Sequence, residues 1–214
     1  MPRDHGSFPD RARVALLLID VINALDFPGS SSLLEQALPM AKRLAILKRR
    51  ARAAGVPSIY VNDNFGRWKS DFRHIVRHCT SKSARGAVIS KLLRPHSNDY
   101  FVLKPMHSGF YSTTLEVLLE YLHVDTLILT GIATNICVLF TADDAYMRDY
   151  TLYVPYDCVA ANTAKENASA LDQMKRILKA DIRPSDEIDC KKIARAASGN
   201  RLNRVERKHA DKKR

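Results

Sequence analysis

The sequence predicts an α/β fold of three αβα layers, in which helices cover both faces of a doubly wound, Rossmann-like parallel sheet of about six strands. Short continuous apolar runs, such as residues 14–19, are typical of strands buried on both faces. These runs alternate with longer segments whose apolar residues recur at helical spacing, as in residues 33–54. Regular alternation of strand and helix predicts a parallel sheet.

The elements follow in order along the chain. Predicted strands cover residues 14–20, 58–62, 99–104, 126–130, 151–155 and 181–183. Predicted helices cover residues 33–54, 113–123 and 163–179, with a further helix from about Thr134 and one or two short ones within 70–98. Gly55 and Pro57 end the first helix.

Composition indicates one domain with a basic extension. The 214 residues are 46% hydrophobic, which is enough for one sizeable core. We therefore predict a single domain over residues 1–190 and a basic, flexible tail over residues 191–214. This tail has ten basic and two acidic residues in a chain of net charge +11, which suggests weak contact with polyanions at most.

Hydropathy predicts a cytoplasmic protein without a membrane partner. No apolar run approaches the roughly 20 residues that cross a bilayer, and the first residues do not resemble a signal peptide. The four cysteines include no Cys-x-x-Cys pair, which indicates free thiols in a reducing compartment.

One of these cysteines has the surroundings of a nucleophile. Cys137 follows the buried strand 126–130 and falls in the first turn of the helix predicted from Thr134. The positive end of the helix dipole and the free N–H groups of that turn are expected to favour the thiolate.

Three further polar residues lie at the ends of other predicted strands. Asp20, Asp63 and Lys104 lie, like Cys137, at or just past strand carboxyl ends, where ligands of such sheets bind. A cysteine hydrolase needs a nucleophile, a base, a cation that favours the thiolate and donors for the oxyanion. Cys137, Asp20 and Lys104 provide the first three, and the turn before Cys137 offers backbone donors.

These motifs resemble a known family. The segments Leu-Leu-Ile-Asp20, Val-Leu-Lys104-Pro and Thr-Gly-Ile-Ala-Thr-Asn-Ile-Cys137-Val are similar to those of the isochorismatase-like cysteine hydrolases, which include nicotinamidases and N-carbamoylsarcosine amidohydrolases. The resemblance covers about residues 12–183. It implies a catalytic triad of Asp20, Lys104 and Cys137.

The resemblance also implies the rest of the reaction centre. It places a cis peptide bond between Ile132 and Ala133, and an oxyanion hole at the N–H groups of Ala133 and Cys137. The implied activity is hydrolysis of a small amide, carbamoyl or ureido compound through a thioester intermediate. A homo-oligomer is implied by the family alone.

The sequence predicts neither a metal site nor a cofactor. Metal-dependent nicotinamidases carry an Asp-x-His and a further histidine after the second strand, whereas residues 62–68 contain no histidine. His74 and His78, with Cys79 adjacent, have a spacing that suits zinc on a helix. Without a second pair of ligands, a basic surface helix is the favoured interpretation.

Aromatic and polar residues in the strand-end loops are candidates for the substrate pocket, with core packing as the alternative for the aromatics. These candidates are Phe27, Asn64, Trp68, Phe110 and Tyr111.

Two other functions remain open at this point. The first is hydrolysis of a vinyl ether of the isochorismatase type, which needs Asp20 as an acid but no thiol. The second is a non-catalytic binding protein on the same fold, which engages a polyanion through the basic tail.

Overall fold

Within residues 12–66 and 71–199, which the computed structural model describes, six strands form one parallel sheet. Five of them lie side by side in the order β3-β2-β1-β4-β5, and β6 pairs with the end of β4. The strands are β1 (Val14–Ile19), β2 (Ser58–Asp63), β3 (Tyr100–Lys104), β4 (Thr126–Ile132), β5 (Thr151–Tyr153) and β6 (Val159–Ala160).

Helices lie between the strands and cover the sheet. A π-helical turn, Thr134–Val138, leads directly into the fifth α-helix. The α-helices of the described ranges are α1 (Ser30–Ala53), α2 (Phe72–Cys79), α3 (Ala87–Leu92), α4 (Leu115–Tyr121), α5 (Leu139–Met147), α6 (Ala164–Arg176) and α7 (Cys190–Gly199).

The central strand shows why the apolar runs are continuous. Every residue of β1 is buried, because helices pack on both faces of the sheet. Leu16 and Leu18 belong to a core shared with α1, α2 and α3, whereas Leu17 and Ile19 belong to a second core shared with α4, α5 and α6. Alternate side chains thus enter opposite layers, and the predicted three-layer αβα class is confirmed.

Strand order fixes the position of the crevice. The chain moves outward from β1 to β2 and β3 on one side and returns to β4 and β5 on the other. The order therefore reverses between β1 and β4, and parallel sheets bind ligands outside the carboxyl ends of strands at such a point.

A glycine allows β1 and β4 to approach at this point. Gly131 pairs with Ile19 and has a φ of 114°, a conformation that side chains with a Cβ rarely adopt. An added Cβ would lie 2.0 Å from the Ile19 carbonyl oxygen. Only a residue without a Cβ therefore fits between β1 and β4 at this position.

The prediction of a strand at 181–183 is wrong. The sixth strand is β6, and Asp181 forms an isolated bridge with Tyr153. The carboxylate of Asp181 is held by the Arg183 side chain at 2.6 and 2.9 Å, and Pro184 provides no backbone donor for a longer ladder.

The predicted tail begins within a helix. Residues 191–199 belong to α7, and Ile193 and Ala194 pack against the core on the α1 side of the sheet. The remainder of the tail lies outside the described residues. Across the described ranges, no helix combines the length and the apolar content that a bilayer crossing needs.

Candidate active site

Asp20 lies directly after β1, at the point where the strand order reverses. Its φ is 51°, a left-handed conformation that costs a residue with a Cβ about 1–3 kcal/mol and is frequent at functional sites. Only 5% of the residue is exposed. One oxygen accepts a hydrogen bond from the Asp63 N–H at 2.7 Å, and the other lies 2.9 Å from the Lys104 Nζ.

Lys104 ends β3 and is fully buried. Its ammonium group lies 3.5 Å from the Cys137 Sγ and 3.9 Å from an Asp63 carboxylate oxygen. It also donates to the Met106 carbonyl oxygen at 3.2 Å. A buried ammonium needs partners of this kind because desolvation penalises its charge.

Cys137 lies in the π-helical turn between β4 and α5. The peptide bond between Ile132 and Ala133, just before the turn, is cis, and the thiol hydrogen-bonds the Asp20 carboxylate. The structure therefore brings Asp20, Lys104 and Cys137 together from three different strands, with Asp63 at the edge of the group.

The surroundings of Cys137 disfavour its thiolate. Burial raises the pKa of the Cys137 thiol to about 12, and the Asp20 carboxylate adds to this effect, while Lys104 opposes it. The expectation that the helix start would favour the thiolate is therefore wrong. The dipole of one turn is worth less than the loss of water around the sulfur and the nearby negative charge.

The two charged partners also have altered pKa values. Burial raises the pKa of the Asp20 carboxyl, although the Lys104 ammonium opposes this. Burial lowers the pKa of Lys104, but the charges of Asp20 and Cys137 outweigh this and the pKa is raised. The raised pKa makes the Asp20 carboxylate a stronger base than a solvent-exposed one.

A histidine that sequence reasoning missed lies beside the thiol. The His107 Nδ1 is 4.0 Å from the Cys137 Sγ, and its ring packs against Phe140 with centroids 5.5 Å apart. His107 is exposed, unlike Asp20 and Lys104. The sequence signal for this residue was its position three residues after Lys104. That position does not predict how the loop folds, so it did not predict the contact with Cys137.

Hydrogen bonds attach the His107 loop to the segment that carries the thiol. The Thr141 hydroxyl donates to the Cys137 carbonyl at 2.6 Å and accepts from the Gly109 N–H at 3.0 Å. The Ser108 hydroxyl donates to Asp144 at 2.5 Å. The loop after β3 and the start of α5 therefore form one unit.

The predicted substrate-binding residues separate into distinct environments. Phe27, 41% exposed, lines a cavity of about 260 Å³ together with Phe65, His74 and His78. Asn64 is buried, and its contacts are structural: its N–H donates to the Lys104 carbonyl and its side chain accepts from the Gly66 N–H.

Among the described residues, no group of three or more His, Cys, Asp or Glu is arranged to hold a metal ion.

Of the remaining predicted substrate-binding residues, two follow β3 and one lies outside the described residues. Phe110 is buried and packs against Tyr150 and the Arg148 guanidinium, so its contacts are those of a core residue. Tyr111 is 58% exposed. Trp68 lies outside the described residues.

The fold and the thiol-centred site define the class of this protein as a hydrolase. The family model described as the isochorismatase domain matches residues 14–182, which is most of the chain. The chain belongs to the isochorismatase family, and the predicted resemblance is confirmed.

Named relatives agree with this membership. The chain is 42% identical over 178 residues to the isochorismatase family protein YaaI of Bacillus subtilis, covering 83% of this chain and 97% of that protein. It is 32% identical over 168 residues to the ureidoacrylate amidohydrolase RutB of Methylobacterium radiotolerans, covering 66% of this chain and 64% of that protein.

A solved structure shares the fold. The N-carbamoylsarcosine amidase from Thermoplasma acidophilum superposes with a TM-score of 0.62 at 28% identity, covering 83% of this chain and 99% of that chain.

Proposed function

We propose that this chain is an amidohydrolase that cleaves a small amide, carbamoyl or ureido compound through Cys137. The observation that carries the proposal is the convergence of three groups at one point, with the Lys104 Nζ 3.5 Å from the sulfur and 2.9 Å from the Asp20 carboxylate. RutB and the N-carbamoylsarcosine amidase, both named for C–N bond hydrolysis, support the substrate class.

The first half of the reaction transfers the acyl group to sulfur. Because the thiol is protonated at rest, Asp20 takes its proton as the sulfur attacks the carbonyl carbon. Lys104 stabilises the negative charge on the sulfur, and the N–H groups of Ala133 and Cys137 donate to the developing oxyanion. Asp20 then gives its proton to the departing ammonia or amine, which leaves a thioester on Cys137.

The second half restores the enzyme. The water oxygen bonds to the thioester carbon, the carbon–sulfur bond breaks, and one proton of the water passes to the sulfur, which releases the acid product and the free thiol. Each group in this scheme is contributed by the chain itself, and we propose no metal and no other cofactor.

The test is a screen of ammonia release over small amides, ureas and carbamoyl amino acids. The wild-type protein is expected to release ammonia from at least one compound, and Cys137→Ala is expected to lower that rate about a thousandfold or more because no other group replaces the nucleophile. Cys190→Ala, at the distant start of α7, is the matched control and is expected to retain activity.

The proposal fails if turnover survives in Cys137→Ala. Hydrolysis of a vinyl ether that persists in the same variant would instead indicate chemistry that depends on Asp20 as an acid and needs no thiol.

A further inference from the structure

We propose that His107 is a further catalytic residue, which acts as the base and then the acid in hydrolysis of the thioester. This inference rests on the proposed function, since it requires an acyl group on Cys137. It assigns the second half of the reaction to a different residue from the first half, for which Asp20 is the proton carrier.

The groups around the sulfur approach it from different sides. Asp20 and Lys104 approach from the buried side and are almost inaccessible to solvent. His107 is exposed, and its Nδ1 lies 4.0 Å from the Sγ. A water molecule that reaches the thioester from solvent therefore arrives on the side of the histidine.

His107 is also close enough to act on the attacking water, since its Nδ1 lies 4.0 Å from the Sγ. The thioester carbon is one bond from the sulfur, so a group 4.0 Å from the sulfur is within reach of a water molecule attacking that carbon. Imidazole accepts and returns protons near neutral pH, which makes histidine the commonest general base.

The leaving group of this step is the Cys137 sulfur, which needs a proton. A thiol with a pKa of about 12 departs poorly as a thiolate, because its conjugate base is strong. A proton donor beside the sulfur removes this obstacle.

The His107 Nδ1 accepts one proton of the water while the water oxygen bonds to the thioester carbon, and the carbon–sulfur bond then breaks. The same nitrogen returns the proton to the departing sulfur. The products are a carboxylic or carbamic acid and the free Cys137 thiol, and His107 returns to its starting state.

The loop is built to keep this distance constant. Gly109 donates to Thr141, which in turn donates to the Cys137 carbonyl. Gly109 also lies so close to β2 that an added Cβ would be 2.8 Å from the Val61 side chain. The backbone two residues after His107 is therefore confined between the Thr141 hydroxyl and the Val61 side chain.

The experiment uses p-nitrophenyl acetate, an activated ester that acylates thiols and releases a coloured product. The initial burst of nitrophenolate reports acylation, and the steady rate reports hydrolysis of the acetyl-enzyme. The proteins are the wild type, His107→Gln and His107→Ala, with Cys137→Ala to define background. His123→Asn is the matched control, because His123 is exposed and precedes β4 at the opposite end of the sheet.

We expect both His107 variants to keep the burst within about twofold and to lose about a hundredfold in the steady rate, which is the usual size of a general base effect. Acetylated Cys137 should accumulate, as detected by mass spectrometry. After subtraction of the rate that Cys137→Ala gives at the same imidazole concentration, added imidazole should restore the steady rate of His107→Ala and leave that of the wild type and of His123→Asn unchanged.

Two results would overturn the inference. An unchanged steady rate in both variants would exclude His107 as the base, and an equal loss of burst and steady rate without imidazole rescue would show that it only orients the thiol. A wild-type protein that gives no more burst than Cys137→Ala would instead overturn the proposed nucleophile itself.

Discussion

At the residue scale, the proposed chemistry depends on one proton shared between Cys137 and Asp20. Burial raises the pKa of both groups. The Lys104 ammonium opposes the rise in each of them. The arrangement protects the sulfur from unwanted reactions until a carbonyl is bound.

This pairing predicts the pH dependence of alkylation by iodoacetamide. Only the thiolate reacts, and the pKa of Cys137 is raised, so the fraction of thiolate grows as pH rises towards about 12. We expect the labelling rate of Cys137 to keep rising, by about tenfold per pH unit, above the ordinary cysteine pKa of about 8.5.

The measurement is peptide mass spectrometry after timed labelling, with free cysteine as the reference and Cys137→Ala to identify the site. Cys79, Cys158 and Cys190 are buried and should label slowly. A labelling rate that levels off at or below pH 8.5 would mean that the site favours the thiolate after all.

At the element scale, the site depends on the junction between β1 and β4. Gly131 allows the β4 backbone to pass against Ile19, and Asp20 and the π-helical turn begin immediately beyond that contact. A distortion here would separate the base from the nucleophile.

We therefore predict that Gly131→Ala is strongly destabilising. The Cβ would meet the Ile19 carbonyl at 2.0 Å, at a φ of 114°, and backbone strain plus overpacking should cost about 4 kcal/mol in the free energy of unfolding. Gly55→Ala is the matched control: its φ is also positive, at 73°, but no atom lies within 4 Å of the added Cβ. Its cost should be about 1 kcal/mol.

Urea unfolding of the three proteins provides the comparison. Equal losses in the free energy of unfolding for the two substitutions would contradict this prediction. They would mean that the cost comes from the positive φ alone and not from the close approach of β1 and β4.

The sequence predicted most elements at this scale because their signals are local. Apolar runs marked five of the strands, and the hydroxyl of Thr163 caps α6 by accepting from the Glu166 N–H, so the predicted helix start was correct. Residues 181–183 misled because a segment of three residues cannot show whether a ladder continues. Strand order could not be predicted, since it depends on which distant segments pack together.

At the scale of the whole molecule, the fold gathers residues that are far apart in sequence. Asp20, Asp63 and Lys104 were predicted to meet Cys137 because parallel strands end at one edge of the sheet, and the structure places them together. His107 could not be predicted, because its position follows from contacts of its loop with Thr141 and Asp144. The thiol pKa was mispredicted for the same reason, since burial is a property of the assembled fold.

The most direct test of the account is to detect the thioester itself. A compound that turns over in the ammonia screen would be mixed with the wild-type protein and quenched in acid, and the peptide carrying Cys137 would be analysed by mass spectrometry. We predict a gain in mass equal to the acyl part of the compound, located on Cys137 and larger in His107→Gln. Continued ammonia release with no adduct on this peptide in either protein would contradict the account.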